Sequence, residues 1–194
     1  MEKGINANVN ISRSRGFWDV LNLQVYSNTY MQETVTLFLL AGFGFLVPFL
    51  LGHVQLFVGP VVNAMLVASA LFLRGRKILP LVLLPSLGAL AGGLLFGPLT
   101  IYLVYMIPFI WAGNLIMVYG LKLAHLQMRQ NYWFSAAVAS AAKAVFLFAS
   151  AFALYMLGAV PTVFLVAMGI MQFATAIAGS VIAYPLKHVR KFFV

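Results

Sequence analysis

The sequence predicts an all-α membrane protein, a compact bundle of six transmembrane helices with both termini in the cytoplasm. Of its 194 residues, 63% are hydrophobic and only 8% are charged, whereas a soluble domain needs about 25% charged residues for its surface. Apolar runs of roughly 20 residues, long enough to cross about 30 Å of hydrocarbon, recur along the chain. The basic residues fall almost wholly into alternate connections between these runs.

The six predicted spans cover residues 34–51, 54–73, 79–96, 99–121, 132–157 and 161–185. Helix-breaking residues lie at the joints, among them Gly52, Gly75 and the pair Gly97-Pro98. The spans form one transmembrane domain over 34–186, between a cytoplasmic N-terminal segment over 1–33 and a basic cytoplasmic tail over 187–194. The N-terminal segment mixes aromatic and polar residues, which is typical of an amphipathic stretch on the inner membrane surface and equally of a loosely ordered tail.

The distribution of positive charge sets the predicted orientation. The connections between spans 1–2, 3–4 and 5–6 contain no Lys or Arg, and eleven of the twelve basic residues lie in the other connections or beside the outermost spans. The net charge of +9 therefore reflects topology and contact with anionic lipid at the inner face. No nucleic-acid partner is needed to explain it.

No catalytic constellation is evident in the sequence. The chain has no cysteine, no HExxH motif, no pair of carboxylates in a span and no GxxxxGK[ST] phosphate loop. Intramembrane hydrolases need a nucleophile with a base, a metal or a carboxylate pair. We therefore expect no enzyme activity, no cofactor and no metal site, with a Ser140–Lys143 nucleophile–base pair as a minor alternative.

One cation, Lys143, lies inside a predicted span that contains no acidic residue. It follows Tyr132 by eleven residues, so it lies about 16 Å from the inner face. Gln172 is placed at a similar depth from the outer face. Lys143 can anchor an anionic or carbonyl group of a ligand, bond to backbone oxygens, or serve a proton or docking role.

Other polar side chains are predicted within the hydrocarbon. Asn63 and Tyr105 fall in the outer half, and Asn114 falls in the inner half near Trp111 on the same helix face. Polar groups in lipid must be paired, so each of them either bonds to another helix or contacts a ligand.

Small residues recur at helical spacing in the third and sixth spans. Gly88 and Gly92 are four residues apart, as are Gly93 and Gly97. Such spacing allows close approach of helix backbones. The same faces are thin enough to leave room for a ligand between helices, and the sequence leaves both interpretations open.

The block over residues 80–119 reads PLVLLPSLGALAGGLLFGPLTIYLVYMIPFIWAGNLIMVY. Its Gly-rich helix, the following FGP, and the next helix with a central PF and a GN resemble the substrate-binding S components of energy-coupling-factor (ECF) transporters. The small size, six spans and inside termini are similar to that family as well, so the resemblance covers roughly 34–186.

The resemblance implies an uptake subunit in the inner membrane of a prokaryotic cell. It would bind a vitamin or related small metabolite and dock on a transmembrane coupling subunit driven by two cytoplasmic ATPases. Connections near 52–58 and 96–100 would close over the substrate. The candidate substrate-binding residues that the resemblance implies are Lys143, Asn63, Tyr105, Tyr102, His53 and Gln55. Depth along the spans adds Gln172, Trp111 and Asn114.

Two features depart from the family pattern. The first span lacks the AxxxA spacing that many members use for docking, and the chain begins Met1-Glu2-Lys3 without the histidine that marks nickel and cobalt members. The alternative function is a structural or assembly membrane protein that binds another membrane protein through its small-residue faces.

Overall fold

The structure, a computed structural model, describes residues 16–25, 28–52, 55–93 and 97–186. Over these residues the chain is helical and forms no strand, which confirms the all-α class. The α-helices in chain order are α1 (Phe17–Leu21), α2 (Tyr30–Leu51), α3 (Gln55–Phe72), α4 (Leu79–Gly92), α5 (Leu103–Leu121), α6 (Tyr132–Met156), α7 (Val163–Met168) and α8 (Ile170–Ala183). Short 3-10 helices, Gly75–Ile78 and Gly97–Tyr102, precede α4 and α5, and a π-helix, Lys122–Gln127, follows α5.

Four helical stretches are long and apolar enough to cross a membrane, namely Tyr30–Leu51, Gly97–Gln127, Tyr132–Met156 and Val163–Ala183. Leu56–Phe72 is apolar but shorter. Helix α4 has 14 residues, about 21 Å, which is less than the roughly 30 Å of a hydrocarbon core. The pattern is that of a multi-pass membrane protein whose second and third predicted spans are shorter helices than the sequence indicated.

Local signals visible in the sequence set several helix ends. The Thr29 hydroxyl accepts a hydrogen bond from the Gln32 backbone N–H at 3.3 Å, and the Gln32 side chain accepts from the Thr29 N–H at 3.1 Å. This capping box starts α2. Asn131 caps α6 by accepting from the Trp133 N–H at 2.8 Å. Helix α4 ends at Gly92 and is capped by Gly93, whose φ of +64° favours glycine.

The sixth predicted span is interrupted, which the sequence interpretation missed. Helix α7 ends at Met168 and α8 begins at Ile170, because Gly169 has φ −95° and ψ −102° and leaves the helical region. A Cβ atom at this position would lie 2.9 Å from the Leu165 carbonyl oxygen and from a ring carbon of Phe148. A lone glycine is common in membrane helices, so the sequence did not mark the break.

Glycines bring two pairs of helices into backbone contact. A Cβ atom on Gly88 would lie 2.3 Å from the Phe45 carbonyl oxygen, and one on Gly92 would lie 2.4 Å from the Phe49 carbonyl oxygen, so α4 packs directly on α2. Gly179 brings α8 onto α3 in the same way. The packing interpretation of Gly88 and Gly92 is confirmed. It is wrong for Gly93 and Gly97, which adopt positive φ and have no neighbour among the described residues within 4 Å of an added Cβ.

One end of the bundle gathers charged side chains, and we call it the basic end (Glu33, Arg74, Lys77 and Lys122). The Glu33 side chain is 1% exposed. It accepts hydrogen bonds from Lys77 Nζ at 2.8 Å, the Arg74 backbone N–H at 3.0 Å and Gln24 Nε2 at 2.9 Å. The start of α2 is thereby tied to the connection between α3 and α4.

Lys122 differs from the sequence interpretation, which grouped it with lysines at a lipid surface. It is fully buried. Its ammonium donates to the Leu73 carbonyl oxygen at 2.8 Å and to the Leu23 carbonyl oxygen. A buried charge needs such acceptors, so the end of α5 is fixed against the end of α3.

The N-terminal segment packs on the basic end over the residues that the structure describes. Val20 and Leu21 of α1 are buried, and Phe17 stacks on Tyr119 with ring centroids 5.0 Å apart. The Val25 N–H donates to the Leu71 carbonyl oxygen, while side chains of Gln24 and Asn28 donate to that of Phe72. These contacts satisfy carbonyl groups that the last turn of α3 leaves unpaired. Residues 1–15 and 187–194 lie outside the described chain.

Replacing Glu33 by Gln should destabilise the basic end. The substitution keeps the shape but puts an amide N–H where Lys77, Arg74 and Gln24 all donate, so we expect a loss of about 3 kcal/mol. Thermal unfolding in detergent measures it. The matched control is Arg74→Gln, because the Arg74 side chain is half exposed and should contribute less than about 1 kcal/mol. Equal melting temperatures for the two variants would contradict the assigned role of Glu33.

Candidate functional site

A cavity of about 90 Å³ lies within the bundle, bordered by residues of α2 to α8. One water needs about 10–15 Å³ measured in the same way, so the space exceeds that of a single water several-fold. Most of the lining is aliphatic, with prolines, glycine and the thioethers of Met168 and Met171. The polar lining residues are Asn63, Ser86, Asn114, Lys143, Gln172 and Thr175.

Lys143 is the charged residue of this lining. It lies eleven residues into α6, which begins at Tyr132 as predicted, and it is 2% exposed. Its Nζ atom donates a hydrogen bond to Asn63 Oδ1 at 2.7 Å. Among the described residues, Asn63 is its hydrogen-bond partner, so an ammonium with three N–H groups uses one of them on the protein.

A chain of hydrogen bonds fixes the orientation of Asn63. Its Nδ2 donates to the Gly59 carbonyl oxygen at 3.0 Å and to Thr175 Oγ1 at 3.2 Å. The Thr175 hydroxyl donates in turn to the Met171 carbonyl oxygen at 2.8 Å. Because both N–H groups of the amide are engaged, its oxygen must face Lys143.

The opposite wall is built from α4 and α5. Trp111 Nε1 donates to Ser86 Oγ at 2.8 Å, and Ser86 donates to the Leu83 carbonyl oxygen at 2.9 Å. Asn114 Nδ2 donates to the Val82 carbonyl oxygen at 3.0 Å. Pro85 and Ser86 face the cavity, and Trp111 supports the wall from behind as the partner of Ser86.

The break at Gly169 places the start of a helix at the cavity. Ala167 and Met168, at the end of α7, line it, as do Met171 and Gln172 in the first turn of α8. The first turn of a helix carries N–H groups without intrahelical partners and the positive end of the helix dipole. Gln172 is half-buried, and no hydrogen bond of its side chain occurs within the described chain.

Among the described residues, no carboxylate lines the cavity. The described residues hold no group of three or more His, Cys, Asp or Glu side chains that could bind a metal. Ser140, one turn before Lys143, is fully buried, and its hydroxyl has no hydrogen-bond partner within the part of the chain that the structure describes. Lys143 is bonded to Asn63 instead, so the geometry does not assemble the Ser140–Lys143 pair considered from the sequence.

The structure brings together four of the nine predicted site residues at the cavity, namely Lys143, Gln172, Asn63 and Asn114, with Trp111 behind them. Tyr105 is 54% exposed on the surface of α5, and Tyr102 packs beside the apolar cluster around Phe164 and Met168. Neither lines the cavity. His53 and the side chain of Gln55 lie outside the described residues.

Sequence reasoning missed two lining residues, Thr175 and Ser86. Thr175 lies in the sixth predicted span, in the same small-residue stretch as Ala176 and Gly179. Its spacing of three residues from Gln172 places both on one side of α8, and that was the available signal. For Ser86, the sequence had no mark of the Trp111 contact, which joins residues 25 positions apart.

The Lys143–Asn63 bond predicts how strongly two variants of this pair are destabilised. Asn63→Leu leaves the ammonium without its acceptor and should cost at least about 3 kcal/mol. The double variant Asn63→Leu/Lys143→Met removes both groups and should recover most of that loss, since an apolar replacement of a buried polar pair is often neutral. Thermal unfolding in detergent measures both. If the single and double variants melt together, Asn63 is not the partner that Lys143 depends on.

Comparisons with protein families, with curated proteins and with solved structures found no match for this chain. What the site does is therefore inferred from its own side chains, and their arrangement is that of a small, mostly apolar cavity with one buried cation. Such a cavity can hold a small solute and fix its orientation through a few polar contacts.

Proposed function

We propose that the chain is a membrane subunit that binds a small organic nutrient, a vitamin or related metabolite, for ATP-driven uptake, in the manner of the S components that it resembles. The observation that carries the proposal is Lys143, a buried lysine that borders a cavity and bonds to one neutral side chain. The resemblance over residues 80–119 supplies the transport setting.

A lysine buried in a membrane span needs hydrogen-bond acceptors that offset the cost of its burial. A lysine at the centre of a span costs at least about 2.5–3.5 kcal/mol on insertion scales. Lys122 offsets a comparable burial with two backbone carbonyl acceptors, whereas Lys143 has one amide oxygen among the described residues. Ionisable groups at such depth commonly mark a substrate or ion site. A ligand that accepts the remaining N–H groups of Lys143 would offset the cost of burying this residue.

The proposed setting is a six-span protein of a prokaryotic inner membrane with both termini in the cytoplasm. Glu33 at the start of α2 bonds to residues between α3 and α4, and Lys122 after α5 bonds to Leu73 after α3. These contacts support helices of alternating direction whose basic end faces the cytoplasm and anionic lipid. Helices α3 and α4 are short, so the segments that flank them would complete their two spans.

The proposed partners are a transmembrane coupling subunit and two cytoplasmic ATPases, since the sequence has no phosphate-binding loop of its own. Helix α2 offers a surface for such a partner, because it exposes Phe38, Leu39, Phe43, Leu46 and Leu50 along its length.

An assembly protein that binds another membrane protein is the alternative function. It has less support, because the small-residue faces that it would use are engaged within the chain. Gly88 and Gly92 contact α2, and Gly179 contacts α3. A stable complex with an unrelated membrane enzyme would favour this alternative, and co-purification with ATPases and a coupling subunit would favour uptake.

The binding proposal predicts a retained ligand. Protein purified in mild detergent and then denatured should release a small molecule that mass spectrometry identifies, and that compound should raise the melting temperature of emptied protein. Lys143→Met protein should retain much less of it, because its anchor is gone. If no molecule is released and no compound in a vitamin and metabolite panel shifts the melting temperature, the proposed function is wrong.

The topology predicts a labelling pattern. The chain has no cysteine, so a cysteine introduced at one position is the only thiol of the protein that a maleimide can label. Leu157→Cys, at a position 80% exposed beyond α6, should react with a membrane-impermeant maleimide in intact cells. Arg76→Cys and Gln130→Cys should react after the cells are opened, because both lie in basic connections. The reverse pattern would overturn the orientation.

A further inference from the structure

We propose that the ligand of this cavity is a small organic monoanion whose carboxylate binds between Lys143 Nζ and the first turn of α8. This inference rests on the proposed binding function and names its substrate class.

The charge balance of the cavity favours an anion. Lys143 is the ionisable residue of the lining, and the other polar residues there are amides and hydroxyls. Among the described residues no carboxylate lines the cavity, and Glu33 is held at the basic end. A charge in an apolar bundle is costly unless it is paired. A carboxylate supplies that pair, a neutral solute does not, and a cation adds repulsion.

The unused N–H groups of Lys143 also favour an anionic ligand. The bond to Asn63 uses one N–H of the ammonium, and Asn63 cannot turn away because Gly59 and Thr175 hold its amide. Lys143 therefore keeps a fixed direction and retains donors for a ligand. Charge-assisted hydrogen bonds to a carboxylate are about twice as strong as neutral ones.

Helix α8 adds a second source of positive potential on the same cavity. Because Gly169 interrupts the helix, the 14-residue α8 starts in mid-bundle with Met171 and Gln172 at the lining. An N-terminus of this kind favours negative charge beside it. Broken helices in transporters place their half-helix N-termini against anionic substrate groups in this way. The Gln172 amide lies beside the same turn and can donate to the second carboxylate oxygen.

The volume of the cavity and its single cation limit which organic anions fit the site. The cavity of about 90 Å³ is smaller than the 150 Å³ cavity that holds benzene in an engineered protein, which favours a ligand with a short organic part. Aliphatic and methionine side chains cover the remaining wall, which suits a hydrocarbon tail. With one cation present, a second negative charge would be buried unpaired, so dicarboxylates and phosphate are disfavoured.

The test compares solutes that differ in charge and share one shape. Protein emptied of ligand is titrated with butyrate, butyramide and butylamine, and binding is followed by the melting temperature and by ligand-observed NMR. Butyrate should bind at least about tenfold more tightly than butyramide, and butylamine should not bind. Succinate, inorganic phosphate and laurate should each bind more weakly than butyrate. A neutral, cationic, doubly charged or long-chain ligand that binds as well as butyrate would overturn the inference.

Variants locate the binding. Lys143→Met should remove the preference for butyrate over butyramide, and Ser140→Ala, one turn away with no partner to lose, should keep it. Should Lys143→Met fail to fold, Gln172→Met serves instead, because its side chain is half-buried, and it should weaken butyrate several-fold. A preference that survives Lys143→Met, or a Gln172→Met protein with unchanged butyrate binding, would contradict the site. A retained natural ligand that is neutral would refute the anion inference and leave the proposed function standing, whereas no binding of any solute would refute both.

Discussion

The arrangement at the centre of the bundle depends on the hydrogen bond from Lys143 to Asn63. An ammonium in an apolar surrounding must be paired or solvated, and this constraint reaches through Asn63 to Gly59 of α3 and to Thr175 and Met171 of α8. The contact thus joins α6 to α3 and α8, which pack closely on each other through Gly59 and Gly179. Tight packing of α3 on α8 sets where Asn63 stands, and Asn63 sets where the lysine points.

The two buried lysines use opposite solutions. Lys122 lies at the basic end, where the last carbonyls of α3 and the N-terminal segment face it, so its charge is satisfied by backbone groups and its role is to hold helix ends together. Lys143 lies in mid-helix, where the carbonyl groups of the neighbouring helices already accept hydrogen bonds within those helices. Lys143 also lines the cavity, and this difference in surroundings is why we propose that Lys143, unlike Lys122, binds a ligand.

Much of the helical architecture followed from the sequence, and the parts that did not have local physical causes. Composition and apolar runs predicted the all-α class, and α6 begins at Tyr132 as expected. Depth along the helices predicted a similar level for Lys143 and Gln172, whereas Asn63 and Asn114, which were placed in opposite halves of the membrane, also line the cavity. At the break, Gly169 packs against the Phe148 ring, and the Ser86–Trp111 contact joins two helices. Neither leaves a periodic pattern, because each is set by packing rather than by local preference.

The central claim is that Lys143 completes its coordination with a ligand atom. A structure of the protein purified with its retained ligand, solved in lipid nanodiscs, tests this most directly. The account predicts an acceptor oxygen of the ligand within about 3 Å of Lys143 Nζ, beside the first turn of α8 and opposite Asn63. A ligand bound elsewhere, or a Lys143 ammonium whose remaining donors all bond to protein carbonyls, would contradict it.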